Sequence, residues 1–466
     1  MPHPYPARSN CPPNPFPRLL SGADRPKAVG RTAGPSGGLG ILAQYPFRKM
    51  KALIPVIPYF RSLLLLPAAR VVLPGLLLVA LSALGYAQQP LSLADADLRG
   101  SVIFQQSGAT GMVLVVVRNN EVMLRGYGET YPGSGVRPAQ NSLIRLCSIS
   151  KVFTGELLLE LANEGKVRLD DPLQRYAPLH RIVPQGADGT PITLQELATH
   201  TSGLPREVSS YPRKTAHFTF PDRAFRWAWL PSQKLIFRPG TAALYSNVGF
   251  DFLGDALAAA THESYAQLVN DNLLRPLGMW DTTLVPSQEQ CARLLHGTGE
   301  EGPCTDTQAS GPSGGMYSTS TDMARMLQHL LRISGSGVSP APAVGVYLKP
   351  AQLKTMEGLS HAGDPTGIGL GWVQVGDPAG PSAVMEKTGG GAGFETYIAL
   401  SPQSQTGVFL AITDGRGGSQ IDFYHEANNL LAALANVPPL PPRTHPARAA
   451  KKKVTRPHRP LRKRAR

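Results

Sequence analysis

Cysteine is scarce in this 466-residue chain: Cys11, Cys147, Cys291 and Cys304 are all there is. No CxxC or HExxH occurs and the histidines are scattered, so no zinc-type ligand set is laid out and neither a metal nor a cofactor is expected. An uninterrupted apolar run of bilayer length is also missing. The fifteen residues Val71 to Gly85 fall short of the roughly 20 that span a bilayer, and Pro74 and Gly75 break them. No internal repeat appears. Acidic residues are lacking at both ends, and that absence changes the meaning of the net charge of +14. Residues 1–49 carry seven Lys or Arg and one acid, 50–87 carry three and none, and 443–466 carry eleven and none. The stretch between them, 88–442, holds 25 bases and 31 acids. A folded body of that sign has no electrostatic footprint for nucleic acid. With 42% apolar residues the chain can bury a sizeable core, which excludes wholesale disorder.

The first 49 residues are rich in Pro, Gly and Arg, without an apolar period, and are expected to be a disordered or non-translated leader. From Met50 the pattern becomes that of a secretory signal: Lys51, Arg61 and Arg70, the apolar run, then Gly85-Tyr86-Ala87, with cleavage expected after Ala87. Residues 50–87 are therefore read as the signal peptide, 88–436 as the catalytic domain and 437–466 as a disordered basic, Pro-rich tail. Export permits disulfides. Cys291 and Cys304 flank a glycine-bearing loop, 292–303, and a disulfide closing it is favoured over two free thiols; Cys147 reads as a small core residue.

Within the body, Gly111–Arg118 and Glu121–Gly126 read as a hairpin turning at Asn119-Asn120. Ser148–Gly165 reads as a helix with a glycine stop. Shorter helical patterns cover 194–199, 251–260, 265–274 and 321–331. Strand signals return at 369–375, 394–400 and 407–413, and a last helix covers 423–435. The fold expected is α/β (α+β): an antiparallel sheet built from both chain ends, flanked by helices, with a mainly helical domain inserted.

Three short motifs follow one another: Ser148-Ile-Ser-Lys151, Tyr245-Ser-Asn247 and Lys387-Thr-Gly389. An SxxK at a helix start places a hydroxyl and an amine one turn apart on one face. A second cation nearby, Lys387, lowers the amine's proton affinity until it can take the serine proton. A tyrosine between two lysines can exist as phenolate and pass that proton to a leaving amine. A Lys-Thr-Gly on a strand edge offers donors to a substrate carboxylate and lets a peptide lie alongside as an added strand. Each motif alone is most often a cap, a turn or a loop; together, in this order, they point to acyl transfer.

With these motifs the chain resembles serine β-lactamases and penicillin-binding proteins of the class C type. The resemblance runs through Ser107–Gly111, Ser148–Thr154, Ala198-Thr-His-Thr-Ser-Gly-Leu-Pro205, Pro239 to Asn247, Arg275–Met279, Gly314–Thr319 and Lys387–Phe394, within roughly residues 96–436. More narrowly, Gly126–Tyr131, the paired cysteines and Lys387–Phe394 are similar to AmpH-type D-alanyl-D-alanine carboxypeptidase/endopeptidases. That resemblance implies a β-lactamase/DD-peptidase-like fold and a periplasmic enzyme acting on peptidoglycan peptides. It implies Ser148 as acylated nucleophile, Lys151 as base, Tyr245 as proton relay and Asn247 as holder of the substrate amide. Lys387 and Thr388 would bind the terminal carboxylate, and the backbone N–H groups of Ser148 and Gly390, next to Gly389, would form the oxyanion hole. A β-lactamase on the same fold is the alternative reading, and a non-catalytic envelope- or penicillin-binding module the second; an esterase fits less well with an intact Lys-Thr-Gly. His200 and the seven aromatics between Tyr211 and Phe237 read as structural packing. The basic tail reads as an electrostatic attachment to anionic envelope polymers or a membrane surface.

Overall fold

The computed structural model describes residues 90–440, apart from 120, 210–211, 213–214, 300, 336–342 and 416–418. The expected leader, the signal peptide, Cys11, Asn120, Tyr211 and the basic tail beyond 440 lie outside the described residues.

Helix α1 (Leu93–Ser107), which the sequence reading did not contain, starts where Ser92 Oγ accepts the Asp95 N–H and stops at Gly108. Strands β1 (Gly111–Arg118) and β2 (Glu121–Gly128) form the expected hairpin, the second strand two residues longer than read. Helices α2 (Ser150–Asn163), α3 (Asn247–Thr261) and α4 (Ser320–Gly335) follow, then the short strands β3 (Pro365–Ile368) and β4 (Val373–Val375). Strands β5 (Val384–Gly391), β6 (Phe394–Ser401) and β7 (Thr406–Thr413) and helix α5 (Phe423–Ala435) come last, and the insert also holds shorter helices at Leu194–Ala198, Arg223–Trp229 and Tyr265–Val269.

The sheet runs β2-β1-β7-β6-β5-β4-β3, antiparallel throughout. Within it β1 pairs with β7, so the two ends of the domain meet, and everything between β2 and β3 is the insert. Both faces are covered, which is why β1 shows no polar alternation. Val113, Val115 and Val117 pack in the core that holds Phe153, Met326 and Leu330 of α2 and α4. Met112, Leu114 and Val116 pack with Ile103, Leu430 and Leu434 of α1 and α5.

Of the strand expected at 369–375 only Val373–Val375 is strand; 369–372 is the turn that joins it to β3. Gly371 takes φ +83 between them, and a Cβ there would sit 2.5 Å from the Lys151 carbonyl oxygen. Only glycine lets this turn pack so closely on α2. α3 also begins one turn earlier than read, because Ser246 accepts the Gly249 N–H and caps it. Cys291 and Cys304 are bonded, and Cys147 is free and buried. The buried Arg145 guanidinium donates to the carbonyls of Gly302 (3.3 Å) and Pro303 (2.9 Å), tying the disulfide loop to the strand that precedes Ser148. Trp227 packs edge-on to Phe252 at 4.9 Å and donates to Asp255, inside the insert.

Candidate active site

Ser148 stands in the 3-10 turn Cys147–Ile149 that feeds into α2. Cys147 enters that turn with φ +50, a left-handed conformation costing a β-carbon residue about 1–2 kcal/mol. Complete burial and an Sγ contact of 3.3 Å to the Gly391 carbonyl hold it there. Burial also pushes its thiol up to about 12, so it stays protonated and is a poor nucleophile.

One turn on, Lys151 is 0% exposed. Its Nζ donates to Asn247 Oδ1 at 2.6 Å and the Ser313 carbonyl at 2.5 Å, and lies 3.5 Å from Ser148 Oγ. Burial pulls the amine down to about 7, against the opposing pull of the Asp251 and Glu207 charges. A neutral fraction is therefore present at neutral pH, positioned to accept a proton.

Tyr245 Oη lies 2.5 Å from Ser148 Oγ. Three cations face its ring: Lys151 Nζ at 4.8 Å, Lys387 Nζ at 5.1 Å and Arg206 Cζ at 4.7 Å from the centroid. The His200 ring packs against it, tilted by 31° with centroids 4.5 Å apart, and its Nδ1 accepts the Ser246 N–H at 3.0 Å. Burial, with Lys151, Lys387 and Arg206 around it, holds His200 well below the usual imidazole range, so it is neutral and structural. Asn247, the first residue of α3, donates its Nδ2 to Glu207. The carbonyl of Arg206 accepts the Asn247 N–H, which locks the 205–207 loop onto the α3 N-terminus.

The third motif lies within β5. β4 pairs with β5 only at Val384–Glu386, so from Lys387 onward the edge toward Ser148 carries no ladder partner among the described residues. Lys387 is buried, donates to the Thr388 carbonyl at 2.7 Å and is held below the ordinary lysine value by that burial. Thr388 is buried, Gly390 is exposed, and the Gly389 carbonyl accepts from Tyr424 Oη at 2.9 Å. A Cβ on Gly389 would lie 3.1 Å from Ser148 N and 2.3 Å from Thr396 Oγ1, whose hydroxyl anchors the Leu146 carbonyl at 2.9 Å. Gly389→Ala is thus expected to cost about 1–3 kcal/mol and to slow acylation at Ser148 at least tenfold. A urea midpoint and a penicillin-labelling rate check this, and an unchanged labelling rate contradicts it.

The structure brings Ser148, Lys151, Tyr245, Asn247 and Lys387 into one cluster and runs Thr388, Gly389 and Gly390 along its side. Sequence reasoning missed Arg206, Glu207, Ser313 and Asp251. Arg206 and Glu207 directly follow the Leu204-Pro205 end of a recognised stretch, and Asp251 sits four residues after Asn247, a spacing that shares a helix face. The family description Beta-lactamase matches residues 97–445. This chain belongs to the beta-lactamase family. It is 41% identical over 363 residues, 76% of its length and 94% of the other's, to the D-alanyl-D-alanine-carboxypeptidase/endopeptidase AmpH of Escherichia coli strain K12. A crystal structure of a β-lactamase/D-alanine carboxypeptidase from Yersinia pestis, complexed with citrate, superposes with a TM-score of 0.67 at 42% identity, covering 71% of this chain and 95% of that one. A class C β-lactamase at 21% identity, TM-score 0.57, covering 73% and 94%, shares the fold. Among the described residues no helix is long and apolar enough to cross a membrane.

Proposed function

We propose that this member of the beta-lactamase family is a serine D-alanyl-D-alanine carboxypeptidase/endopeptidase. What carries the reading is the convergence of a buried amine and a tyrosine hydroxyl on Ser148 Oγ, beside an open strand edge. A peptide laid along Lys387–Gly390 presents its carbonyl to Ser148 and its terminal carboxylate to Lys387 and Thr388. Ser148 Oγ attacks the carbonyl carbon of the penultimate D-alanine as its proton passes to Lys151 Nζ. Asn247 holds the substrate amide, and the N–H groups of Ser148 and Gly390 take the oxyanion. The proton moves through Tyr245 to the departing amine as the C–N bond breaks, and water then hydrolyses the Ser148 ester. The cycle uses side chains, backbone amides and water.

A β-lactam acylates Ser148 by the same steps. Purified protein is given D-Ala-D-Ala-terminated and cross-linked muropeptides and, separately, a chromogenic cephalosporin. Release of D-Ala or cleavage of cross-links supports the peptidase. Rapid cephalosporin turnover with no muropeptide cleavage replaces it with the β-lactamase reading. Labelling of Ser148 without either turnover favours a binding module.

The reading extends to a catalytic domain at 88–436, exported to the periplasm by a signal at 50–87 and attached through the basic tail to anionic envelope polymers or membrane surfaces. The tail's charge, eleven bases without an acid from 443 to 466, supports the last point. Deleting 443–466 is expected to leave turnover of small substrates unchanged and to weaken salt-sensitive retention on isolated envelopes. Equal retention with and without the tail removes the attachment role.

A further inference from the structure

The cycle above gives no role to Asp251, a buried carboxyl close to its amine. Asp251 lies one helical turn after Asn247 in α3 and is 1% exposed. Its carboxylate takes a hydrogen bond from the Ser313 side chain, and the Ser313 carbonyl accepts from Lys151 Nζ. Asp251 Oδ1 has no hydrogen-bond partner among the described residues. An ionised carboxylate so enclosed is costly unless a cation answers it. Arg226 is nearby, but its guanidinium is already bidentate on Asp255, at 2.7 Å to each oxygen, where Trp227 also donates. Arg226 still exerts the larger pull on Asp251, and Lys151, reached through the Ser313 turn, is the second cation that acts on it.

We propose that Asp251 is a positioning residue for the base: it and Lys151 share one proton around the Ser313 turn. The inference rests on the reading of Lys151 as the base for Ser148. In one arrangement the proton sits on Nζ as an ammonium facing a carboxylate. In the other it sits on the Asp251 carboxyl, and the Nζ lone pair is free. In the second arrangement Nζ takes the Ser148 proton as the Oγ–carbon bond forms, then gives it up by way of Tyr245 as the C–N bond breaks. The pair ends with the one proton it started with.

The other charges are arranged so that Asp251 dominates. Lys151 is faced by Glu207, Cys147 and Arg206 as well, with Lys387 and neutral His200 close by. Asp251 is faced by Arg226, Asp255, Lys151 and the Tyr265 hydroxyl. Of the charges acting on Lys151, that of Asp251 is the strongest, and burial raises the Asp251 carboxyl to about 7, within reach of the amine. The sign follows. A carboxylate favours the ammonium; a neutral amide in its place removes the strongest charge opposing burial, and Lys151 sheds its proton at lower pH.

The test is the pH profile of Ser148 acylation by a fluorescent penicillin, for the full-length protein and for Asp251→Asn and Asp251→Glu. The acid limb of Asp251→Asn is expected to move down by about one pH unit or more, so that below the wild-type midpoint the variant is acylated roughly tenfold faster. Asp251→Glu, which keeps the charge, is expected to keep the limb. A folded Asp251→Asn protein with an unmoved limb overturns the proposal, as does one that is slower at every pH with the same midpoint. If Asp251→Asn does not fold, the wild type itself decides, by the carbon resonance beside Nζ in lysine-labelled protein, assigned to Lys151 by its loss in Lys151→Met. A midpoint near neutrality supports the shared proton, and one above 10 overturns it. A wild type that penicillin labels at no pH defeats the proposed function instead, and the same resonance, compared between wild type and Asp251→Asn, then still reads the pair.

Discussion

Ser148→Ala is expected to abolish covalent labelling by penicillin and to lower D-Ala release by on the order of 10⁴ to 10⁶. The loss is large because no neighbour can replace Oγ. Cys147 adjoins it in sequence, but its thiol is buried, donates toward the Gly391 carbonyl and is held protonated. Tyr245, 2.5 Å away, loses the oxygen it would relay for. The fold should not notice, since Ser148 is half-buried and its backbone turn is held by Cys147, Leu146 and Thr396 rather than by its own side chain. Intact-mass detection of the acyl adduct and chromatography of released D-Ala check both halves. A persistent adduct on the variant would mean that a different side chain is acylated.

Lys151→Met is expected to lower acylation by about 10² to 10⁴, the usual scale for a lost proton acceptor. Its effect on stability is expected to be small. The variant leaves Asn247 Oδ1 and the Ser313 carbonyl without their donor, which costs, but it also replaces a buried amine by an apolar chain of similar length. The pH dependence has a definite sign. The fold holds this amine below its ordinary value, at about 7, so between there and the unfolded value the unfolded chain binds the extra proton. The residue's contribution to stability therefore rises with pH across that range, and acylation rises through the neutral region as the amine is freed. Lys151→Met should flatten both dependences. Parallel acylation profiles and thermal midpoints from pH 5 to 9 check this, and an unaltered acid limb in the variant would exclude Lys151 as the group whose titration is being read.

The helical turn and the strand motif were legible for different reasons. Ser148 and Lys151 are three apart, and any helix brings such a pair together, so this part of the cluster needed only local geometry. Helix α5 was readable for the same reason, from its apolar period between Phe423 and Ala435. Gly369–Val375 misled because an apolar run does not say where a chain reverses; that depends on Gly371, whose φ of +83 answers to the Lys151 carbonyl in another element. Helix α1 was passed over because Leu98 and Val102 point outward, 66% and 44% exposed, which blurs its apolar face.

By itself, the sequence determined the fold class, the family resemblance and the candidate nucleophile, amine, tyrosine and strand, because each rests on residue types at short fixed spacing. It also located the positive charge outside the acidic body. The tertiary structure alone decided what surrounds them. Tyr245 meets three basic side chains drawn from α2, the 205–207 loop and β5; β5 has an open edge because its ladder with β4 stops at Glu386; and Lys151 and Asp251 each bond to the same residue, Ser313. Most of those relations join residues far apart in the sequence, such as Lys151 with Tyr245 and Tyr245 with Lys387. They depend on how a helix, a turn and a sheet edge are packed, and no local period or spacing encodes that packing.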